Sequence, residues 1–215
     1  MKSTKKLLIT VFSFTTTLIN TAVITNIYNA AQAVELVRNG SFEIDPLVDP
    51  DNPYATNPNI TDWTKSGDPM DVSGIRISNF PQQDSGNQGL SLSGFLGLSY
   101  ISQTLSTQPG QEYELSYYLA SIDEAPALDN QFQTFVGGNK ISDLEDISFQ
   151  PYTPYKFNFT ADSSSTELKF GNWDKYGFLY LDGVSVIPVP EPSAIGGVAV
   201  AGLLGILLRK KKAIS

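Results

Sequence analysis

A chain of 215 residues with a formal charge of −8, no cysteine and no histidine has no disulfide staples, no imidazole ligands for zinc, and no Ser-His-Asp or Cys-His nucleophile. The charge is unevenly spread: the two ends hold seven of the 14 basic residues, and residues 34–187 keep 7 basic against 21 acidic residues, a charge of −14. A surface that acidic repels nucleic acid and anionic lipid and attracts divalent cations, so nucleic acid is excluded as a partner.

At the N-terminus, Lys2, Lys5 and Lys6 precede the apolar run Leu7 to Phe14, and Ala31-Gln32-Ala33 closes the segment. A positive start, an apolar middle and a small-x-small end make residues 1–33 a signal peptide, with Ala31 and Ala33 setting its cleavage. An uncleaved anchor is the competing reading. The polar residues from Thr15 onward oppose it, because they interrupt the ~20-residue apolar span that an anchor needs. The protein is therefore expected to be exported.

Residues 34–187 are enough for one domain with its own core. Val34 to Glu43 reads as a short strand broken at Asn39-Gly40, and the stretch from Asp45 to Thr61, with four prolines, reads as an irregular loop. Strands are predicted over 70–77, 89–93, 98–105, 112–120, 131–136, 141–149, 155–160, 166–170 and 178–187. Several alternate with period two. Tyr113, Leu115, Tyr117 and Leu119 share one face; Tyr155, Phe157 and Phe159 share another, opposite Lys156 and Asn158; Leu168 and Phe170 flank Lys169. Gln108-Pro-Gly-Gln111, Val136-Gly-Gly-Asn139 and Asp162-Ser-Ser-Ser165 supply the turns. The expectation is an all-β domain, a single antiparallel β-sandwich of jelly-roll type with about eight to ten strands.

The tail, 188–215, contains Val189-Pro190-Glu191-Pro192-Ser193, an uncharged run from Ala194 to Leu208, and the cluster Arg209 to Lys212. As a hydrophobic helix the run reaches about 22 Å against about 30 Å of hydrocarbon, so it is short for a permanent transmembrane helix. The basic cluster marks the cytoplasmic side and places the domain outside. This three-part order resembles the PEP-CTERM sorting signal of Gram-negative bacteria, including cyanobacteria. The resemblance implies recognition of Pro190, Glu191 and Pro192 by an exosortase, a membrane cysteine transpeptidase, after delivery by the export machinery. It also implies transient membrane attachment through 194–208 and a final place in the envelope, at the cell surface or in an extracellular matrix. A plain membrane anchor on a Pro-rich stalk is the alternative.

Asn39-Gly-Ser-Phe-Glu43 and Leu181-Asp-Gly-Val-Ser-Val186 resemble the first and last strands of galactose-binding-domain-like jelly rolls, which include carbohydrate-binding modules and plant cell-wall β-sandwich proteins. The resemblance implies that these segments are neighbours and that Glu43 and Asp182 hold a structural Ca²⁺. A solvated glutamate and a turn-forming Asp-Gly are the competing reading. No other cofactor is expected. Asp45, Asp49 and Asp51 do not have the spacing of a twelve-residue EF-hand loop.

For ligand contact the aromatic residues matter most. Trp63 is expected to close one end of the core. Trp173, Asp174 and Tyr176 lie in Gly171-Asn-Trp-Asp-Lys-Tyr-Gly177, read as a loop between two strands, where a flat ring can stack on a sugar and polar groups can bind its hydroxyls; core or edge packing competes for each. With 21 acidic residues a chance carboxylate pair is unavoidable, so glycosidase chemistry gains nothing from the count. The sequence points to a non-enzymatic, exported protein, adhesive or glycan-binding, with extracellular polysaccharide as partner. A self-assembling matrix or surface-layer component and a carboxylate-dependent hydrolase are the alternatives.

Overall fold

The computed structural model describes residues 34–47, 49, 51, 56–79, 86–126 and 128–190. Residues 1–33 with Ala31 and Ala33, Glu191 and Pro192, and the run 194–208 lie outside the described residues; Pro190 is the last of them and is exposed. Among the described residues no helix is long and apolar enough to cross a membrane.

Among the described residues nine strands and one short helix follow in order: β1 Thr56–Asn57, β2 Thr64–Ser66, α1 Pro69–Val72, β3 Arg76–Ser78, β4 Gly89–Ser106, β5 Glu112–Ser121, β6 Asn130–Val136, β7 Asn139–Glu145, β8 Gln150–Thr160 and β9 Ser165–Pro188. All pairings are antiparallel. Two long strands, β4 and β9, belong to both leaves of the sandwich. Their 89–92 and 179–188 portions join β1, β3, β5 and β8 in the first leaf. Their 99–106 and 165–174 portions join β2, β6 and β7 in the second. The change of leaf occurs at register shifts between Leu92 and Gly94 and between Gly94 and Ser99.

The alternating residues fill the space between the leaves. Leu115, Tyr117, Leu119, Leu168 and Phe170 are all buried, and Tyr155, Phe157 and Phe159 pack against them. Tyr117 sits edge-on to Phe170 at 5.3 Å between ring centroids and stacks on Tyr155 at 5.5 Å. Trp63 is in the core as expected, between Phe42 and Phe170, and its indole N–H donates to the Asn39 carbonyl at 3.0 Å. On the opposite side of β8, Lys156 pairs with Glu114 and Asn158 donates to Glu112. The β6–β7 connection takes positive φ at Gly137 and Gly138 (57° and 82°), the condition for a two-residue turn whose twist matches its strands.

Four expectations are corrected. The run 70–77 is not one strand: Asp68 caps α1 by accepting the Met70 N–H at 2.9 Å, and Pro69 occupies the first helical position, so a helical turn forms before β3. Val34 to Glu43 is not a strand either. Asn39 and Phe42 have positive φ, and Val186 N–H is met by the Glu35 side chain in place of a ladder carbonyl. Gly171 to Gly177 is not a loop but part of β9. Finally, β7 ends at Glu145 and β8 begins at Gln150, which shortens one predicted strand and lengthens the next.

Candidate functional site

Register fixes what the first leaf shows on the side away from the core. Leu90, Leu92, Leu119, Leu179 and Leu181 point inward, so their neighbours along the strands point out. Arg76 lies opposite Ser91, Ser91 opposite Tyr180, and Tyr180 opposite Ala120. One step along, Asp182 lies opposite Tyr118. Of these, Arg76 and Tyr118 are exposed, whereas Ser91, Tyr180 and Asp182 are buried beneath their neighbours.

At the end of the face where β4 changes leaf, a groove of about 530 Å³ opens between α1, β3, β4 and β9. Its apolar wall is Met70, Phe95 and Phe178, which are 62%, 65% and 41% exposed. Its polar wall is Ser73, Arg76, Ser91 and Ser93. Gly74 brings the α1–β3 turn flat against β4, because a Cβ there would lie 2.3 Å from the Ser93 carbonyl oxygen. The Arg76 Nε–H donates to the Ser73 carbonyl, which fixes the guanidinium on its own turn. A second hollow of about 420 Å³ beside the β6–β7 turn is lined by Gly137, Gly138, Asn139 and polar residues of 160–167, with Phe159 as its aromatic ring. The groove has the better chemistry for a ligand that is polar at its edges and flat on its faces.

Two pairs of carboxylates lie near this face. Asp182 is 0% exposed, its Oδ1 accepts the Gly183 N–H, and its Oδ2 has no hydrogen-bond partner among the described residues. Burial first, and the charge of Glu43 in addition, push its carboxyl up to about 8. Glu43 Oε1 accepts the N–H groups of Asn87 and Gln88, both at 2.7 Å. Gly89 leaves the room: a Cβ there would sit 2.8 Å from the Tyr152 hydroxyl and 3.5 Å from Asp182 Oδ2. The segments bearing Glu43 and Asp182 are thus neighbours, with Gly40 O accepting the Val184 N–H at 2.9 Å. The second pair is Asp123 and Asp174. Asp174, 1% exposed, accepts the Tyr176 and Gly177 N–H groups with Oδ1 and is pushed up to about 6, chiefly by burial and further by Asp123. Among the described residues no three acidic side chains converge as a metal-ligand group.

Residues 35–176 match the family described as DUF642, protein of unknown function. The chain belongs to the DUF642 family. No curated protein matches its sequence. Among solved structures, the DUF642 domain is similar to TmCBM61 in complex with β-1,4-galactotriose, at 12% identity and a TM-score of 0.50 over 73% of this chain and 100% of that one. It is similar also to the enzymatically active domain of tailspike protein 4 from bacteriophage CBA120, at 14% identity and a TM-score of 0.50, covering 73% of this chain and 22% of that one. The chain thus spans about a fifth of the tailspike structure. A CBM22-1 xylan-binding domain from Paenibacillus barcinonensis aligns at 18% identity with a TM-score of 0.43 over 60% of this chain and 86% of that one. At these identities the likeness is one of fold.

The structure separates the three residues that the sequence groups for ligand contact. Trp173 lies on the outer side of the second leaf, opposite Gln131, and is half-buried. Asp174 turns inward to Asp123 and is buried. Tyr176 is exposed, with Lys175 Nζ 5.0 Å from its ring centre and the same Nζ paired to Asp129. The groove residues Arg76, Phe95 and Phe178 were not singled out by the sequence. Phe178, Tyr180 and Asp182 carry a legible signal, since they alternate with Leu179 and Leu181. Arg76 and Phe95 carry none, because their meeting depends on how β3, β4 and β9 pair.

Proposed function

We propose that this DUF642 domain is a non-enzymatic, exported glycan-binding module of the cell envelope or extracellular matrix, with the groove at Phe95 and Phe178 as its binding site. The observation that carries the reading is the pairing of exposed aromatic and thioether side chains with Arg76, Ser91 and Ser93 across one open groove on a β-sandwich. Rings supply flat apolar contact for a sugar face while hydroxyl and guanidinium groups meet its oxygens. TmCBM61, solved with β-1,4-galactotriose, shares the fold and supports the reading by analogy. Asp123, Asp174 and Asp182 are buried rather than set across an open cleft, which argues for binding over hydrolysis.

Export through the signal peptide and sorting through Pro190-Glu191-Pro192 by an exosortase complete the proposal. The folded chain runs in strand β9 to Pro188, and the Val189 N–H still donates to the Glu112 carbonyl, which supports a sorting segment that begins close to the sandwich. Glu43 and Asp182 fit a structural Ca²⁺: an enclosed carboxylate oxygen without a hydrogen-bond partner among the described residues, next to a second carboxylate, is a donor set for a hard cation. Backbone carbonyl groups and water would complete its shell. When bound, the ion would tie the first segment to the last strand.

Calorimetric titration of the exported protein against a glycan panel tests the binding site. Phe178→Ala and Phe95→Ala are each expected to weaken binding by about tenfold, or ~1.4 kcal/mol. Absence of binding to every glycan, or affinity unchanged in both variants, would sink it. Intact mass of the mature protein, with cleavage after Ala33 and loss of the chain beyond Pro192, is the expected result for the sorting part.

A further inference from the structure

Five of the seven basic residues of 34–187 are held in ion pairs with carboxylates. Lys65, the sixth, donates from Nζ to the carbonyl oxygens of Pro58 and Ile75. Arg76 remains. Among the described residues no carboxylate lies within ion-pair distance of its guanidinium, although the domain carries 21 acidic side chains. Its Nε–H is spent on the Ser73 carbonyl, which leaves the two Nη groups as donors at the groove wall.

The surroundings reinforce this charge. Lys65 reaches the carbonyl of Ile75, the residue before Arg76, so two cations without carboxylate partners among the described residues lie close together. The Lys65 ammonium is pushed down by burial and, in addition, by the charge of Arg76. In a domain at −14, Arg76 is thus a cation with no carboxylate partner among the described residues, and it lines the groove that holds Phe95, Phe178 and Met70. A guanidinium fork matches a planar or tetrahedral oxyanion through two parallel N–H donors. Flanking rings take the apolar face of the sugar that bears it.

We infer that the groove selects a sugar carrying an isolated anionic substituent, a uronate carboxylate or a sulfate ester, with Arg76 holding the anion. The inference rests on the proposed role of the groove as a glycan site. The remainder of the surface limits charge density in the ligand. A polysaccharide charged on every residue meets the field of a −14 domain beyond Arg76 and is repelled. A largely neutral chain with sparse acidic residues is the class that fits both features.

The test is an array on the exported protein with neutral glycans, sparsely uronylated glycans, their methyl esters, sparsely sulfated glycans and a dense polyuronate. Wild-type protein is expected to bind one sparsely acidic class about fivefold more tightly than its uncharged counterpart, the scale of a half-open ion pair. Whether the carboxylates or the sulfate esters are retained identifies the anion. Arg76→Gln should erase the preference while leaving the melting temperature unchanged, and Arg76→Lys should restore only part of it. Equal binding of acid and ester, or tightest binding of the dense polyuronate, overturns the inference and leaves the glycan reading standing. If nothing on the array binds, both fall.

Discussion

Asp182, sealed within the last strand, lies in the field of Glu43 at the first segment of the domain, so the two ends of the sandwich meet at a pair of carboxylates. A buried carboxylate beside a second negative charge is unfavourable unless a proton or a cation joins it. Proton and cation give opposite responses to pH, which makes the pair a direct probe of what occupies it.

In chelator the response follows from the direction of the shift. The Asp182 carboxyl is pushed up to about 8 in the folded chain, above the ~3.9 of an unfolded aspartate, so the folded state binds the extra proton between these values. Stability is then fullest below pH ~4 as far as this group is concerned, and is lost as pH rises toward 8. Asp174, pushed up to about 6, adds a smaller decline in the lower part of the window. Scanning calorimetry should show the melting temperature falling by several degrees from pH 5 to pH 8, with calcium reversing most of the fall. Asp182→Asn should remove both the calcium effect and the upper part of the decline. Melts at pH 8 that are identical with calcium and with chelator would refute the ion.

The second carboxylate pair makes a steric prediction. A Cβ on Gly177 would lie 1.9 Å from Asp123 Oδ1, and Asp123 is itself held by the Asn130 side-chain amide at 2.6 Å. Gly177→Ala should therefore cost about 1–3 kcal/mol, the scale of overpacking a well-filled site. In an Asp123→Ala background the same change should cost much less. Denaturant unfolding of the four proteins in this cycle gives the coupling, and additive costs would show that the contact is not what excludes a side chain at 177.

A buried hydroxyl pair gives a third. The Tyr117 hydroxyl and Thr134 Oγ1 lie 2.8 Å apart in the core, both sealed from water. Tyr117→Phe strips Thr134 of this partner and should cost about 1–2 kcal/mol, whereas Tyr117→Phe with Thr134→Val should recover part of it. Phe170→Ala, which empties the centre of the aromatic cluster, should cost about 3–5 kcal/mol. Equal losses for the single and double hydroxyl variants would assign the effect to packing.

The strands were legible because most of them have one wet face, and alternation survives at that boundary: Tyr113 to Leu119 and Tyr155 to Phe159 are placed as their pattern predicts. The continuity of β4 and β9 was not. Gly171 and Gly177 bound a stretch that reads as a loop, and 94–97 falls between two predicted strands, but in a strand glycine also marks bulges and close approaches. At Gly171, for example, a Cβ would lie 2.8 Å from the Tyr100 ring, so the strand continues beneath that ring. The pairing of Glu43 with Asp182 could be anticipated from a family resemblance, since both sit in the motifs that carry it. The groove could not be anticipated in the same way, because Arg76 and Phe178 belong to strands that never touch directly and meet only through β4.

Trp173 and Phe178 separate two readings of where a glycan binds. Phe170 and Asn172 are buried in the core, so Trp173, with Lys169 and Gly171, belongs to the outer side of the second leaf. Its indole Nε1 is enclosed and makes no hydrogen bond, which describes a packed ring rather than one presented to solvent. Phe178 stands next to the first-leaf portion of β9, with its ring centre 6.3 Å from that of Tyr180, and lines the groove. Trp173→Ala should therefore lower stability by about 1–3 kcal/mol and leave glycan affinity unchanged, while Phe178→Ala should do the reverse. Calorimetry of unfolding and of binding on the same two variants decides between them. Affinity lost with Trp173 and kept without Phe178 would move the site to the second leaf, where Tyr100, Phe135 and Lys169 offer the other aromatic surface of the sandwich.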